Sequence, residues 1–569
     1  MLGLTIFDWA AIFLYFFIIS FVGIWFARNI RNMHDFFMGG NRFGKVTMVF
    51  FSFGAGTSGN DAVGVSSKVY TNGISGIWYQ WLWLFCTPFY WLIPPILRRM
   101  RILTMGDYFE ARFSPGVGAL YAIVGVIQLT VNIGVIQLGA SATIEALTGG
   151  AIPRYVSIPF MSGIFILYGV AGGLGAAIIT DFIQGILTVM FSFMLLPLVF
   201  QAVGGIEGLR DKISNPEMLQ LVAPGEINLF YVIVLCFNAL VGVVTQPHIL
   251  GNCSAGRTEM DGRVGLTGGN LLKRFCTIAW AFTGLCAVAL YPNLTGKQTD
   301  QVFGMIARNF LPGVAPGLLG LFISALVASV MSSCDAFMVS SSALFTQNLY
   351  RRYWVKDKSE QHYITVGRIA SIVIVVVGIL FAFQVPNVPR GLEIFFSLQA
   401  MMGPIFWLGL FWRRTTPQGA WASTIGSFAV FVLTSLPAFQ GWAVQNLPEF
   451  MLWQEKLRLS WQMTFYLTTG FSLGILVSLI TKPVSEENLN QIYRCLYTPV
   501  KKGEKHIAPF TLPDGVEPGE HKKLLPFKNI EIPYPSLQGM IGFVIILSLI
   551  HISEPTRLLS ISYAVFCLK

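Results

Sequence analysis

Apolar segments of membrane-spanning length follow one another along almost the whole chain, separated by short polar connections. An α-helix needs about 20 predominantly apolar residues to cross the hydrocarbon of a bilayer. The periodicity predicts helices at about 7–27, 46–70 (broken), 75–97, 116–145, 154–171, 175–202, 226–251, 272–291, 314–349, 363–384, 391–412, 418–438, 461–481 and 537 onward. The pattern therefore predicts an all-α polytopic membrane protein whose surroundings are the lipid bilayer.

One of these apolar segments is interrupted in its middle. Residues 54–64 have the sequence GAGTSGNDAVG, which combines glycines with polar side chains and the carboxylate of Asp61. Backbone that is not helical at membrane depth survives only where it faces protein or a water-filled cavity. An ionisable residue there is a functional hypothesis by default, and in transporters an interrupted helix indicates a solute and ion site near the midplane.

Composition and charge agree with a membrane protein. Hydrophobic residues make up 54% of the chain and charged residues 12%, against about 25% charged residues in a typical soluble protein. When the segments are threaded alternately across a membrane, most Lys and Arg fall on one side, in loops that include Lys273 and Arg274. Cytoplasmic loops carry this excess, so we expect the N-terminus outside and residues 482–534 in the cytoplasm. The net charge of +10 thus reflects topology, and no nucleic-acid partner is expected.

Two C-terminal regions depart from the pattern. Residues 482–534 are polar and are predicted to form a solvated linker with one amphipathic helix, with a regulatory contact as the alternative. Residues 535–546 begin a final helix. Residues 547–569 contain LSLIHISEPTR and ISYAVFCLK, which resemble translated sequencing-adapter DNA, so we expect an assembly artefact there and exclude it from fold reasoning. Resequencing the locus would decide this, since an uninterrupted native continuation would contradict it.

Five motifs, in order along the chain, resemble those of the sodium/solute symporter family, with sodium/proline and sodium/galactose symporters as similar members. They span roughly residues 35–425, and each is weak alone while the ordered set is specific. The motifs are GGNR at 39–42 before the broken helix, GGLGAAIITDFIQ at 172–184, QPHIL at 246–250, SSCDAFMVSSSALFTQNLY at 332–350 and RTTPQGA at 414–420.

The resemblance implies a leucine-transporter-type fold, with ten core helices in two inverted five-helix repeats. The repeats would occupy 46–203 and 226–413, preceded by a leading helix and loop in 1–45 and followed by trailing helices in 414–481. With the final helix, this makes one leading and about three trailing helices. The two halves show no obvious sequence identity, so the repeat is implied by the resemblance alone.

The resemblance also implies a sodium site. In the family, the first and eighth core helices hold Na+ through backbone carbonyls and hydroxyls, which supply oxygen ligands without fixed charge. By motif these ligands are Gly54, Thr57, Ser329, Ser332 and Ser333, and the three serines at i, i+3 and i+4 share one helix face. The alternative is that the serines bond their own helix or a neighbouring helix.

Asp181 matches the acidic residue of a second sodium site in some family members. A buried acid in a membrane segment is rarely without function. A proton carrier and a structural carboxylate are the alternatives, so the number of coupled sodium ions stays open.

The solute site is less defined by the sequence. Asp61 and Gln80 match positions that contact solute in sodium/sugar members, where the first is an amide. The carboxylate of Asp61 therefore argues against a sugar and favours an ammonium-bearing solute or proton involvement. Gln246, His248 and Gln399 are further candidates, although an interhelical hydrogen bond is an equally good role for the histidine. An amino acid, a sugar or a carboxylate-like molecule all remain open as the solute.

The function predicted is sodium-coupled uptake of a small organic solute by alternating access at the cell membrane. A solute-sensing membrane protein and a proton-coupled transporter on the same fold are the alternatives. No enzyme is expected, because the chain has no HExxH, GxSxG, Walker A or cysteine-based metal motif.

Overall fold

The computed structural model describes residues 4–27, 33–223, 225–504 and 508–553. Its first part, up to the connection before residue 229, is helical. The helices are α1 (Ile6–Ala27), α2 (Met33–Met38), α3 (Lys45–Gly56), α4 (Gly59–Asn72), α5 (Trp78–Trp81), α6 (Ile93–Arg99), α7 (Met105–Arg112), α8 (Pro115–Leu147), α9 (Arg154–Met194), α10 (Leu196–Val203) and α11 (Gly205–Lys212). Within α9, Gly173 adopts a positive φ of 54° and breaks the helix into two.

The second part is built in the same way. Its helices are α12 (Leu229–Val243), α13 (Pro247–Ser254), α14 (Glu259–Leu290), α15 (Val302–Phe310), α16 (Leu318–Leu344), α17 (Glu360–Ala382), α18 (Val388–Ala400), α19 (Gly403–Phe411), α20 (Pro417–Ser435), α21 (Pro437–Asn446), α22 (Leu459–Ile480), α23 (Glu486–Tyr497) and α24 (Leu537–Ser553). A π-helix over Phe345–Trp354 extends α16. The one hairpin among the described residues pairs β1 (Leu452–Trp453) with β2 (Lys456–Leu457), Leu452 opposite Leu457.

Length and composition make seven of the described helices capable of crossing a membrane, or up to nine if each of two bent pairs counts as one span. Large apolar side chains cover the outside of this bundle; Phe17, Leu167 and Leu380 are each more than half exposed. Exposed apolar area on this scale indicates a surface that another apolar phase covers. A multi-pass membrane protein explains that surface.

Each half of the bundle contains an interrupted helix near its start. α3 ends at Gly56 and α4 begins at Gly59, inside the predicted broken segment. α12 and α13 meet at an angle of 67°, because the helix stops before Pro247 and restarts with that proline in its first turn. A proline at this position leaves no helical hydrogen bond unmade, since the first N–H groups of a helix have no partner inside it.

The helices that carry these breaks occupy the centre of the bundle. α3 packs against α14, α9 and α16, and α4 packs against α14 and α8. Both interruptions are therefore enclosed by protein, as non-helical backbone at this depth requires.

Two expectations about connections differ from the structure. α14 begins at Glu259, not near 272, so Lys273 and Arg274 lie within a buried helix and do not belong to a loop. The polar segment, residues 482–534, is not a solvated linker: α23 buries Leu489, Ile492 and Tyr493, and Phe510 is 2% exposed. Of the proposed adapter-derived tail, α24 continues to Ser553 and residues 554–569 lie outside the described part.

Candidate functional site

The break between α3 and α4 is two residues long. Thr57 (φ −134°, ψ 116°) and Ser58 (φ −127°, ψ 161°) are extended, with glycines on either side at Gly56 and Gly59. The last carbonyls of a helix have no partner inside the helix. This break therefore presents backbone oxygens of residues 54–57 to the interior of the bundle.

A serine from α16 reaches these oxygens. The Ser333 hydroxyl lies 2.8 Å from the Gly54 carbonyl oxygen and 3.3 Å from that of Thr57. Three of the five residues predicted for the sodium site thus meet at one point. The contact joins a side chain of the second half to the broken helix of the first half.

Gly54 allows α16 to approach this closely. A Cβ on Gly54 would lie 2.2 Å from the Ser332 hydroxyl oxygen and 3.5 Å from the Asp181 Cβ. Ser332 and Asp181 therefore both lie next to Gly54, in the last turn of α3. No residue larger than glycine fits at this position without displacing one of them.

Several buried oxygens around Gly54 lack hydrogen-bond partners within the described part of the chain. They are the Thr57 hydroxyl, together with the Asp181 carboxylate and the Ser332 hydroxyl, which interact with each other but make no hydrogen bond of good geometry. A buried polar group without a partner is costly. A set made only of oxygens suits a hard cation, so these residues fit the predicted Na+.

Ser329 occupies a different position from the other two serines. Its hydroxyl donates to the Leu326 carbonyl of its own helix at 2.7 Å, as the alternative interpretation expected. A Cβ on Gly59 would lie 3.1 Å from that hydroxyl oxygen. Ser329 thus contacts the start of α4, one helical turn from the Gly54 contact.

A cavity of about 70 Å³ lies beside the break. Four of the five predicted solute residues line it: Asp61, Gln80, Gln246 and His248. Gln399 does not line it, but its side-chain oxygen accepts a 2.7 Å hydrogen bond from the Gln246 amide. His248 packs against Phe337 with ring centroids 4.6 Å apart.

Asp61 is not a free carboxylate. One oxygen accepts from the Gln80 amide at 2.7 Å, and the other accepts from the Ser58 backbone at 3.0 Å and from the Lys273 ammonium at 2.8 Å. Lys273 also donates to the Gly56 carbonyl. The inference from Asp61 to an ammonium-bearing solute loses its premise, because a lysine of the protein already neutralises the carboxylate.

Arg274 is the second cation of the cavity that the sequence analysis missed. It donates to the Gln80 carbonyl and to the Asn270 side-chain oxygen, the latter at 3.2 Å, and lies over the Trp83 ring. The helix start was readable: Thr258 caps α14 and Asp261 completes a capping box, a signature visible in the sequence TEMD. A helix that begins at this capping box includes both Lys273 and Arg274.

The C-terminal end of α4 is held by contacts with several other elements. Ser67 donates to the Asp300 carboxylate at 2.9 Å, and the Val388 backbone donates to the same carboxylate at 3.2 Å. Lys68 forms an ion pair with Glu226 at 3.0 Å. These contacts tie α4 to the loop after α14, to α18 and to the loop before α12. Asn252 of α13 and Asn270 of α14 also line the cavity.

Sequence comparisons identify related proteins. Residues 36–426 match the model of the sodium:solute symporter family. The sodium/glucose cotransporter of Vibrio parahaemolyticus is 25% identical over 472 residues, covering 76% of this chain and 86% of the relative. The high-affinity proline transporter PutP of Bacillus subtilis is 24% identical over 502 residues, covering 83% and 97%.

Solved structures share the fold. A Na+-coupled sialic acid symporter superposes with a TM-score of 0.69 at 18% identity, covering 85% of this chain and 99% of the other. A nucleobase-cation-symport-1 family transporter gives 0.51 at 13% identity, covering 80% and 97%. The leucine-transporter-type fold is thereby confirmed, with a broken helix near the start of each half.

Proposed function

Because the chain belongs to the sodium:solute symporter family, we propose that its sodium ion binds where Ser333 meets the broken helix α3–α4. The protein is a sodium-coupled symporter for a small organic solute. The observation that carries the location is the Ser333 hydroxyl between the carbonyls of Gly54 and Thr57. These atoms come from both halves of the fold, so an ion bound among them depends on how the halves are arranged.

Ser333 changes its role when the ion enters. Without an ion its hydroxyl donates to the Gly54 and Thr57 carbonyls, which holds α16 against the break. With Na+ present the hydroxyl turns its hydrogen away and offers a lone pair, while the two carbonyls offer theirs. Ser332 and the Ser329 carbonyl complete an oxygen shell without fixed charge.

A second sodium binds next to Asp181, with Ser332 as a shared ligand. The support is the buried Asp181 carboxylate, whose neighbour among the described residues is the Ser332 hydroxyl and which has no ion-pair partner there. A buried carboxylate needs a counter-ion or a proton. Sodium there supplies the charge, and proton coupling through Asp181 is the competing outcome.

Ion and solute sites are coupled through the residues on both sides of the break. Gly54 and Thr57 belong to the sodium site, whereas Asp61 lines the solute cavity only four residues later. Sodium that orders the break therefore positions Asp61 and its partners, and solute affinity rises with sodium. Linkage requires that solute raise sodium affinity by the same factor.

Alternating access uses the contacts at the C-terminal end of α4, which close the cavity on that side. We assign this end to the outside and the polar segment to the cytoplasm, with the N-terminus outside, because cytoplasmic loops carry the excess of Lys and Arg. Outward opening breaks the Ser67–Asp300 and Lys68–Glu226 contacts. Inward release proceeds past Asn252 and Asn270.

The test is uptake by the purified protein in proteoliposomes. Labelled sugars, amino acids and small carboxylates are offered with an inward sodium gradient or with potassium in its place. We expect at least one solute to accumulate only with sodium. Equal accumulation in both salts would reject sodium symport, and accumulation that follows an imposed pH gradient would assign the coupling to protons.

A further inference from the structure

The solute cavity contains more positive than negative charge. Its acidic and basic residues within the described chain are Asp61, Lys273 and Arg274, all of them at most 6% exposed. Asp61 and Lys273 form an ion pair at 2.8 Å. With His248 neutral, the surplus is one positive charge, and it resides on Arg274.

Arg274 has no carboxylate partner among the described residues. Its guanidinium has five N–H donors and makes two hydrogen bonds, both to neutral oxygens, those of the Gln80 backbone and the Asn270 side chain. A charged side chain at membrane depth is expensive unless a partner compensates it.

Arg112 shows what a purely structural arginine looks like in this protein. It is 0% exposed and donates to four backbone carbonyls, at distances between 2.7 and 3.4 Å, around the end of α19. These carbonyls lie at and just beyond the C-terminal end of α19, where the helix dipole also favours a cation. Arg274 has half as many acceptors and borders a cavity, so its remaining donors are available to a ligand.

We infer that the solute is a monovalent organic anion whose carboxylate is received by Arg274; this inference rests on the symport function proposed above. The guanidinium is planar and offers paired N–H donors that match the two oxygens of a carboxylate. A single carboxylate brings the charge of the cavity to zero. A cationic solute would add to the surplus, whereas a sugar or a zwitterion would leave it uncompensated.

The Trp83 ring lies beside both cations of the cavity. The centre of the Arg274 guanidinium lies 6.0 Å from the Trp83 ring centroid, and the Lys273 nitrogen lies 5.5 Å from it. The ring thus restrains both cations, and Lys273 is already engaged by Asp61 and Gly56. Arg274 is therefore the cation with donors to spare.

The first experiment uses the unmodified full chain. Its unfolding temperature is measured in sodium and in potassium with lactate, pyruvate, butyrate or benzoate, and with galactose, myo-inositol, proline or choline. We expect at least one of the carboxylates to raise the unfolding temperature in sodium only. The inference is overturned if none of the carboxylates raises the unfolding temperature. It is also overturned if only galactose, myo-inositol, proline or choline raises it. A stabilising effect of sodium by itself would persist in that case, so the anion inference fails separately from sodium symport.

The second experiment replaces the cation and measures labelled uptake of the best carboxylate. Hydrogen bonds to charged groups contribute about 1.5–3 kcal/mol, so Arg274→Gln should raise the half-saturating carboxylate concentration about tenfold or more. The sodium half-saturation measured by binding should stay nearly constant. Arg308→Gln, at an exposed position of α15, is the matched control and should behave like the unmodified protein.

Arg274→Lys covers the case in which the glutamine variant does not fold. The lysine keeps the positive charge but lacks the paired N–H donors of the guanidinium. We therefore expect the half-saturating carboxylate concentration to rise less than in Arg274→Gln. If Arg274 had only a structural role, its variants would show a lower protein yield and a lower unfolding temperature, but the same half-saturating carboxylate concentration. An unchanged half-saturation in either folded variant would overturn the inference.

Discussion

Asp61 and Lys273 offer a quantitative test of the cavity's electrostatics. Asp61→Asn leaves the Lys273 ammonium, 5% exposed, with the Gly56 carbonyl and the Trp83 ring as its remaining partners. Removing one partner of a buried ion pair costs about 3–5 kcal/mol. A lysine can instead shed its proton, which at pH 7 costs about 4.6 kcal/mol from its reference pKa of about 10.4. Both estimates predict that Asp61→Asn lowers the free energy of unfolding by roughly 4 kcal/mol.

The assay is a double-mutant cycle on the free energy of unfolding, measured by titration with a denaturing detergent at constant sodium. Asp61→Asn and Lys273→Met should each destabilise strongly, while the double variant should recover most of the loss because no unpaired charge remains. The control pair is Lys68–Glu226, whose side chains are 12% and 25% exposed. Its coupling should stay near 1 kcal/mol or below. Additive losses at Asp61 and Lys273 would refute the buried pair.

Three further predictions concern the sodium site and the polar segment. Gly54→Ala places a methyl group 2.2 Å from the Ser332 hydroxyl oxygen, so we expect sodium-driven uptake to be lost while the protein still folds, checked by uptake and size-exclusion chromatography. Asp181→Asn should reduce the Hill coefficient of sodium activation to one, and an unchanged coefficient would argue against a second ion there. Arg413→Gln removes the guanidinium that lies 2.8 Å from the Glu531 carboxylate, 1% exposed, so proteolysis of the polar segment should accelerate; an unchanged cleavage rate would contradict its docking.

The sequence was sufficient for most of the long apolar helices and for the first break, but the helix predicted at 75–97 is wrong, because short helices and turns occupy this range. Hydropathy identifies a segment that faces lipid or apolar protein over its whole length, and α8, Pro115–Leu147, differs from its predicted span of 116–145 by two residues or fewer at either end. Glycines and polar side chains within an apolar segment indicate non-helical backbone that faces protein or a cavity. The predicted interruption is confirmed at Thr57 and Ser58, which are extended, whereas residues 54–56 and 59–64 belong to α3 and α4.

Hydropathy predicts the wrong helix start where a helix is enclosed by other helices. α14 faces protein along its first half, so it tolerates Lys273 and Arg274, which a hydropathy window assigns to a loop. The pairing of Asp61 with Lys273 joins residues 212 positions apart, and no local pattern encodes it. The sequence could therefore make Asp61 a candidate site residue but not predict that Lys273 and Arg274 lie beside it.

The polar segment illustrates a related limit. Its prolines and charges favour a linker, yet Glu531 becomes buried because Arg413, Tyr497 and His521 all reach its carboxylate. Such partners come from three separate parts of the chain. Their convergence depends on the assembled bundle, which sequence composition does not specify.

Binding of radioactive sodium to the purified protein tests the central claim most directly, since it needs no knowledge of the solute. Ser333→Ala removes the hydroxyl between the Gly54 and Thr57 carbonyls and should raise the half-saturating sodium concentration about tenfold or more. Ser341→Ala is the matched control on the same helix, because its hydroxyl donates to its own helix at the Phe337 carbonyl, and it should bind sodium like the unmodified protein. Equal half-saturation in the Ser333→Ala variant and the unmodified protein would contradict the sodium site at the break.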